Sequence, residues 1–171
     1  MRALSRRHLL LAAAASGCVK SNDAVRADFR TFMNSLPHQT AGRVPFEPWT
    51  LEGKVVLITF LATWCFPCLT ELVVLSRLER DHGEAGFANV LVGMDLEGRA
   101  VLDPFAEGYK LTSPLIVADD KVRRGDTPFG RIRELPTRIL FGRSGAPVIG
   151  YTGVSKYEDL ERIVASEVSK R

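Results

Sequence analysis

The sequence has few histidines and cysteines and no long apolar run. None of the three histidines, His8, His38 and His82, has ligand spacing to a cysteine pair, and a metal site needs more than two ligands. No stretch approaches the 18 or more apolar residues needed to cross a bilayer. The composition of the 171 residues is globular, with 46% apolar and 25% charged residues. We therefore expect one domain of ordinary size without a resident metal or other cofactor.

The chain also lacks lasting basic charge. Its formal charge is +3, but residues 1–17 hold three arginines and no acid, so removing them brings the charge to zero. The segment "MRALSRRHLLLAAAASGC" runs from basic to apolar to small residues, which is the order of an export signal. Its paired arginines also resemble a twin-arginine signal, and both export routes stay open. Without a basic surface in the mature chain, we expect no nucleic-acid partner.

The end of this signal resembles the lipobox of bacterial lipoproteins. "AASGC" places small residues before Cys18, with Ala15 where that family usually has leucine. The resemblance implies that Cys18 is lipidated and anchors the chain in the periplasm or at the outer face of the membrane. The expected parts are a signal peptide over 1–17, a lipidated tether with a short helix over 18–43, and the domain over 44–171. An ordinary cleaved signal and an uncleaved apolar anchor remain alternatives.

If Cys18 carries lipid, Cys65 and Cys68 are the only thiols of the mature chain. Export leads to a compartment where disulfides can form. A bond between residues so close in sequence closes too small a loop to stabilise a fold strongly. The pair is therefore expected to cycle between dithiol and disulfide.

Apolar periodicity predicts an α/β domain with the order β-α-β-α-β-β-α, a mixed sheet covered by helices on both faces. The predicted strands are the apolar run 53–63, the run 87–96 and a hairpin over 137–153. The predicted helices cover 67–80, a segment that begins with Asp103 as N-cap and Pro104 at the first position, and a segment opened by Ser155 and Glu158 as a capping box. Residues 113–119 form a short strand or the approach to one. Residues 36–49 are expected to be irregular or a short edge hairpin, and 120–134 a polar connection.

The cysteine pair lies where the first strand meets the first helix. A thiol attacks only as the thiolate, and a helix N-terminus favours that form through its unpaired N–H groups and partial positive charge. Pro67 costs no backbone hydrogen bond in the first turn. Cys65 is therefore expected to attack a substrate disulfide, and Cys68 to resolve the mixed disulfide.

The segments "FLATWCFPCLTE" and "ELPTRILFGRSGAPVIGYTG" resemble the TlpA/ResA branch of the thioredoxin superfamily, which consists of exported, membrane-tethered thiol-disulfide oxidoreductases. The similarity covers residues 44–169 and implies a thioredoxin-like fold. It also implies that Pro136 is cis and faces the dithiol, and that the backbone of Leu135 docks a substrate strand. Trp64, Phe66 and Pro67 would complete the docking surface.

In the resembled branch, an acid at the position of Glu71 aids proton transfer during exchange. Glu71 follows Cys68 by one helical turn, and a carboxylate near two sulfurs is expected to have a raised pKa. A solvated helix glutamate is the alternative. Thioredoxins themselves carry a buried aspartate six residues before the first cysteine, where this chain has Thr59.

The resemblance implies an enzyme that reduces disulfides of exported proteins, for instance apocytochrome c before haem attachment, and that is recharged by a membrane thiol carrier. We expect it to act as a monomer. Alternatives are a copper or other metal carrier, a peroxidase, and a lipoprotein that keeps the fold without catalysis. The arginines at 123, 124, 131 and 133 are expected to be a solvated loop, although their approach to Pro136 also suits a position beside the substrate groove.

Overall fold

The computed structural model describes residues 29–170, and its strands form one six-stranded sheet. The predicted signal peptide and the lipidation site Cys18 lie outside the described residues. Within 29–170, no helix has the length and apolar character required to cross a membrane. The strands are β1 (Thr40–Ala41), β2 (Val55–Leu61), β3 (Phe87–Gly93), β4 (Leu115–Val117), β5 (Thr137–Phe141) and β6 (Pro147–Thr152). Their order in the sheet is β1-β4-β3-β2-β5-β6.

Five α-helices and one short 3-10 helix, Pro48–Leu51, accompany the sheet in the described part of the chain. The helices pack against the sheet in two separate apolar clusters, one on each face of the sheet. The mixed sheet with helices on both faces is thus confirmed. The helices are α1 (Phe29–Ser35), α2 (Phe66–His82), α3 (Arg99–Gly108), α4 (Asp120–Arg124) and α5 (Tyr157–Ser169).

Strand β2 is the centre of the fold, and every one of its residues is buried. Its odd-numbered apolar side chains pack with α2, α3 and α5, while Val56, Ile58 and Phe60 pack with α1 and α4. Burial on both faces explains why this strand is a continuous apolar run with no polar alternation. The predicted strand over 53–63 is confirmed with slightly shorter bounds.

The pairing of β2 determines where the site lies. It runs parallel to β3 and antiparallel to β5, with Phe60 opposite Thr137. The end of β2 therefore lies beside the start of β5, so the segment before Thr137 is brought to the segment that leads into α2. The segments that carry Cys65 and Pro136, far apart in sequence, therefore lie at the same end of the sheet.

Regular structure forms in two segments for which the sequence predicts either two alternatives or an irregular connection. Residues 115–117 form β4, which pairs with the short edge strand β1. The predicted polar connection 120–134 is wrong in its first part, because residues 120–124 form α4. Asp119 caps this helix by accepting the N–H of Val122 at 2.9 Å, and Gly125 ends it with φ of 84°.

Two predicted helix starts are also wrong. Helix α3 begins at Arg99, and Pro104 lies inside it. The carboxylate of Asp103 accepts the N–H of Gly42 at 2.9 Å and does not cap a helix. Helix α5 has Lys156 at its N-cap and no side-chain cap bond, and the N–H of Ser155, which a capping box would donate to Glu158, is donated to Glu71.

Candidate active site

The two cysteines form a disulfide at the junction of β2 and α2. The sulfur atoms are 2.06 Å apart and the Cα atoms 5.2 Å apart. Cys65 is the N-cap of α2, and Cys68 lies in the first turn. The expectation that the helix begins at the pair is confirmed.

A backbone donor at the start of α2 points to the first sulfur. The N–H of Cys68 lies 3.2 Å from Sγ of Cys65, in the geometry of an N-cap bond. Pro67 occupies the first turn, where its missing N–H leaves no gap in the helix. In the reduced protein, the same N–H and the helix dipole would stabilise a thiolate on Cys65.

The two sulfurs differ in their access to solvent. Cys65 is 5% exposed and Cys68 2% exposed, so neither is freely open. However, Cys65 lines an open cavity of about 600 Å³, and Cys68 does not. This dithiol groove is formed by Trp64, Cys65, Phe66, Pro67, Met94, Ile132, Arg133 and Leu135. A partner that enters the groove reaches the first cysteine before the second.

Large aromatic side chains stand at the rim of the dithiol groove. Trp64 is 72% exposed and Phe66 is 74% exposed, although both are apolar. Exposed apolar side chains grouped around a cavity are typical of an interaction surface. The predicted docking residues Trp64, Phe66, Pro67 and Leu135 are therefore brought together here.

The segment before β5 closes the opposite side of the dithiol groove. The Leu135–Pro136 peptide bond is cis, as the resemblance implies. Pro136 is buried, while Leu135 is half-buried and lines the groove. Leu135, which the resemblance assigns to substrate docking, therefore lines the groove that contains Cys65.

Glu71 is not a solvated helix residue. Its side chain is 2% exposed and lies on the buried face of α2 together with Cys68. One carboxylate oxygen forms an ion pair with a guanidinium nitrogen of Arg138, and the other accepts the N–H of Ser155. Sequence reasoning missed Arg138 altogether. The only signal was an arginine inside the otherwise apolar strand "TRILF".

A second buried acid, also missed, fixes the segment before Cys65. Asp95 follows β3, and its two carboxylate oxygens each lie 3.1 Å from the backbone nitrogen of Thr63. The hydroxyl of Thr63 donates to the same carboxylate at 2.6 Å. This acid therefore ties the end of β3 to the loop that carries Trp64 and Cys65.

The arginine-rich loop divides into different roles. Arg123 donates to the backbone carbonyl of Asp95 at 2.8 Å, and Arg124 pairs with acids on the surface. Arg131 is exposed, and only Arg133 lines the dithiol groove. The alternative that this loop lies beside the groove therefore holds for Arg133.

The described histidines lie away from the pair. Nε2 of His82 is 3.4 Å from a carboxylate oxygen of Glu161, and the ring of His38 packs edge-on against Phe46. Within residues 29–170, no group of three or more His, Cys, Asp or Glu side chains is arranged to hold a metal ion.

Comparison with protein families gives the class. The model of the AhpC/TSA family matches residues 33–138, which is more than half of the chain. The chain therefore belongs to the AhpC/TSA family.

Similar curated proteins carry a more particular name. The chain is 33% identical over 103 residues to the thiol-disulfide oxidoreductase ResA of Halalkalibacterium halodurans, covering 60% of this chain and 56% of that protein. It is 30% identical over 116 residues to ResA of Geobacillus kaustophilus, covering 67% and 64%. The alignments thus span less than two thirds of these relatives' length. The resemblance to ResA-type proteins is confirmed.

Solved structures show the same fold. A thiol:disulfide interchange protein of the thioredoxin family from Chlorobium tepidum has a TM-score of 0.65 at 23% identity, covering 78% of this chain and 97% of that one. StoA from Bacillus subtilis has a TM-score of 0.55 at 22% identity, covering 65% and 82%. The thioredoxin-like fold is thereby confirmed.

Proposed function

We propose that this protein is an exported thiol-disulfide oxidoreductase that reduces disulfides of other exported proteins. The observation that carries the proposal is the position of Cys65. Its sulfur accepts a backbone N–H at the start of α2 and lines the dithiol groove, while Cys68 is bonded behind it. The relatives named thiol-disulfide oxidoreductase support the same chemistry.

The proposed reaction begins with the reduced pair. The Cys65 thiolate attacks a substrate disulfide lying in the dithiol groove, one substrate sulfur leaves as a thiolate, and a mixed disulfide forms. Cys68 then loses its proton and attacks the sulfur of Cys65. The Cys65–Cys68 disulfide forms, and the second substrate sulfur leaves as a thiolate. The substrate gains two electrons and the enzyme loses two.

Glu71 is the proposed acceptor for the proton of Cys68. It is a buried carboxylate on the same face of α2, one turn further along. Thr59, which stands where thioredoxins carry an acid, cannot accept a proton in this way. Glu71 therefore takes part in the step that closes the enzyme disulfide.

The substrate is proposed to be an extended polypeptide segment around an accessible disulfide. Trp64 and Phe66 offer apolar contact at the rim, and Leu135 offers its backbone. The sequence features of residues 1–18 support export and lipid anchoring outside the cytoplasm, with a membrane thiol carrier as the source of electrons. Apocytochrome c is one substrate of this chemical class.

The test is exchange with a disulfide-bonded peptide, followed by thiol release and mass spectrometry. Cys65→Ser is expected to abolish turnover, whereas Cys68→Ser is expected to accumulate a mixed disulfide between Cys65 and the peptide. Cys18→Ser is the matched control and should leave turnover unchanged. Equal and mild losses in the first two variants, or stoichiometric copper or zinc in the purified protein, would contradict the proposal.

The reduction potential decides the direction. A potential near that of thioredoxin, about −270 mV, supports a reductant. A potential of about −120 mV, as in a strong oxidant, would overturn the reductive direction. Thiol-disulfide exchange itself would still be supported.

A further inference from the structure

An ion pair between Glu71 and Arg138 is buried one helical turn beyond Cys68, and neither residue lines the dithiol groove. Arg138 is 0% exposed and is the largest of the fully buried side chains in the described part of the chain, and its partner Glu71 is 2% exposed. Arg138 belongs to β5 and lies opposite Thr59 of β2 in the register of the sheet. The pair therefore joins the cysteine-bearing helix to the strand that follows Pro136.

Several contacts fix the geometry of this pair. The guanidinium of Arg138 donates to the backbone carbonyl of Gly153 at 2.6 Å, and its Cζ lies 5.2 Å from the centre of the Tyr151 ring. The second oxygen of Glu71 accepts the N–H of Ser155. Both carboxylate oxygens are thus held, and the carboxylate cannot turn without breaking one of these contacts.

The titratable and polar groups around Glu71 come from every element packed against it. Helix α2 contributes Cys68, one turn before Glu71, β2 contributes Thr59, which pairs with Arg138 in the sheet, and β6 contributes Tyr151, whose pKa burial raises. The ionisable contacts between α2 and α5 lie at the opposite end of α2; they are Asp81 with Tyr157 and His82 with Glu161. Within residues 29–170, Arg138 is the one cationic side chain in ion-pair contact with Glu71.

A contribution to stability alone does not explain why this ion pair is buried. Replacing both members of a buried ion pair by apolar side chains is often neutral or stabilising, because both charges must be removed from water. The pair lies one helical turn from Cys68, where exchange requires a proton acceptor. The carboxylate of Glu71 can accept this proton, whereas an apolar side chain at the same position could not.

We propose that Arg138 is a positioning residue for disulfide exchange, because it holds the carboxylate of Glu71 in one direction beside Cys68. This inference rests on the proposed function. In the resolving step, the Cys68 thiol gives its proton to Glu71 and its sulfur forms the bond to Cys65. The Cys65–substrate bond breaks, its electron pair leaves on the substrate sulfur, and that thiolate takes a proton from water. Arg138 itself exchanges no proton.

The experiment measures the resolving step as a function of pH in the full chain. The reduced protein is mixed with the aromatic disulfide DTNB, which releases one coloured thiolate when Cys65 attacks and a second when Cys68 resolves. The variants are Arg138→Met, Arg138→Lys, Glu71→Gln and the double variant. Arg143→Met is the matched control, since this arginine also donates to backbone carbonyls but lies away from the dithiol.

In Arg138→Met, the second release is expected to slow at least about tenfold near neutral pH and to recover as the pH rises. The midpoint of its pH profile should move upward toward that of Glu71→Gln, because a carboxylate that is no longer held beside Cys68 assists the loss of its proton less. Arg138→Lys should restore part of the profile, and Arg143→Met should leave it unchanged. Loss of structure alone would lower the rate at every pH without moving the midpoint.

The double variant keeps the test decisive if Arg138→Met does not fold, because it leaves no unpaired charge. If Arg138 acts through Glu71, the double variant and Glu71→Gln have superimposable profiles. A further shift in the double variant would mean that Arg138 acts on the sulfurs directly and would overturn the inference. An unmoved midpoint in folded Arg138→Met would also overturn it. Absence of any second release in the unmodified protein would instead refute the proposed function.

Discussion

Removal of the Asp95 carboxylate is expected to destabilise the fold and to slow the chemistry of Cys65. This acid is buried, and it accepts both the backbone N–H and the hydroxyl of Thr63. Thr63 precedes Cys65 by two residues, so the carboxylate determines how the chain enters α2. In Asp95→Ala, both donors lose their acceptor.

The magnitude follows from the number of donors. A hydrogen bond to a charged group contributes about 1.5–3 kcal/mol, and two donors are involved, so Asp95→Ala should lower the free energy of unfolding by about 3–6 kcal/mol. Asp95→Asn keeps one acceptor oxygen and should lose about half of that. Asp126→Ala is the matched control, because its carboxylate pairs with Arg124 at the surface and is worth less than about 1 kcal/mol.

The assay combines urea denaturation with the rate of Cys65 alkylation in the reduced protein. Asp95→Ala should show a lower midpoint of denaturation with an unchanged slope, and slower alkylation in the fraction that stays folded. Asp126→Ala should match the unmodified chain in both measurements. An Asp95→Ala variant within about 1 kcal/mol of the unmodified chain, with normal alkylation, would refute the argument.

Three further predictions concern other parts of the fold. Arg143→Met removes hydrogen bonds to three backbone carbonyls and should lower the free energy of unfolding by about 2 kcal/mol, as measured by urea denaturation, without changing Cys65 alkylation. Trp64→Ala should leave stability unchanged, because the side chain is exposed, and should raise the KM for a disulfide-bonded peptide; an unchanged KM would contradict a docking role. Burial raises the pKa of Tyr151 above its ordinary 10.0, so the stability that it contributes is complete below that pH and is lost as the pH rises through the raised pKa. Tyr151→Phe should flatten this alkaline loss in denaturation measurements.

The sequence was sufficient where local pattern and tertiary structure agree. The apolar run of β2, Pro67 in the first turn and the cysteine spacing together predicted a strand, a helix start and a sulfur at its N-terminus. The glycine in the turn of the hairpin likewise predicted the strands β5 and β6 on either side of it. In each case, the signal lies within a few residues and does not depend on distant partners.

The rest depends on contacts that no local pattern contains. Whether Glu71 meets a cation follows from the antiparallel register of β5 and the rotation of α2, and an isolated arginine in an apolar strand does not reveal its partner. Ser155 and Glu158 have the spacing of a capping box, but the N–H of Ser155 is donated to Glu71. Asp103 has the spacing of another cap, but its carboxylate serves Gly42. Tertiary hydrogen bonds replaced the local ones in both places.

The proposed exchange reaction depends most on the ionisation of Cys65 at the start of α2. The direct measurement is the pH dependence of iodoacetamide alkylation in the Cys68→Ser variant, compared with the same variant unfolded in urea. The alkylation rate of a free thiol has its pH midpoint at about 8.5, and that of the folded variant should have its midpoint at least about one pH unit lower. Coincident midpoints for the folded and unfolded samples would contradict the account.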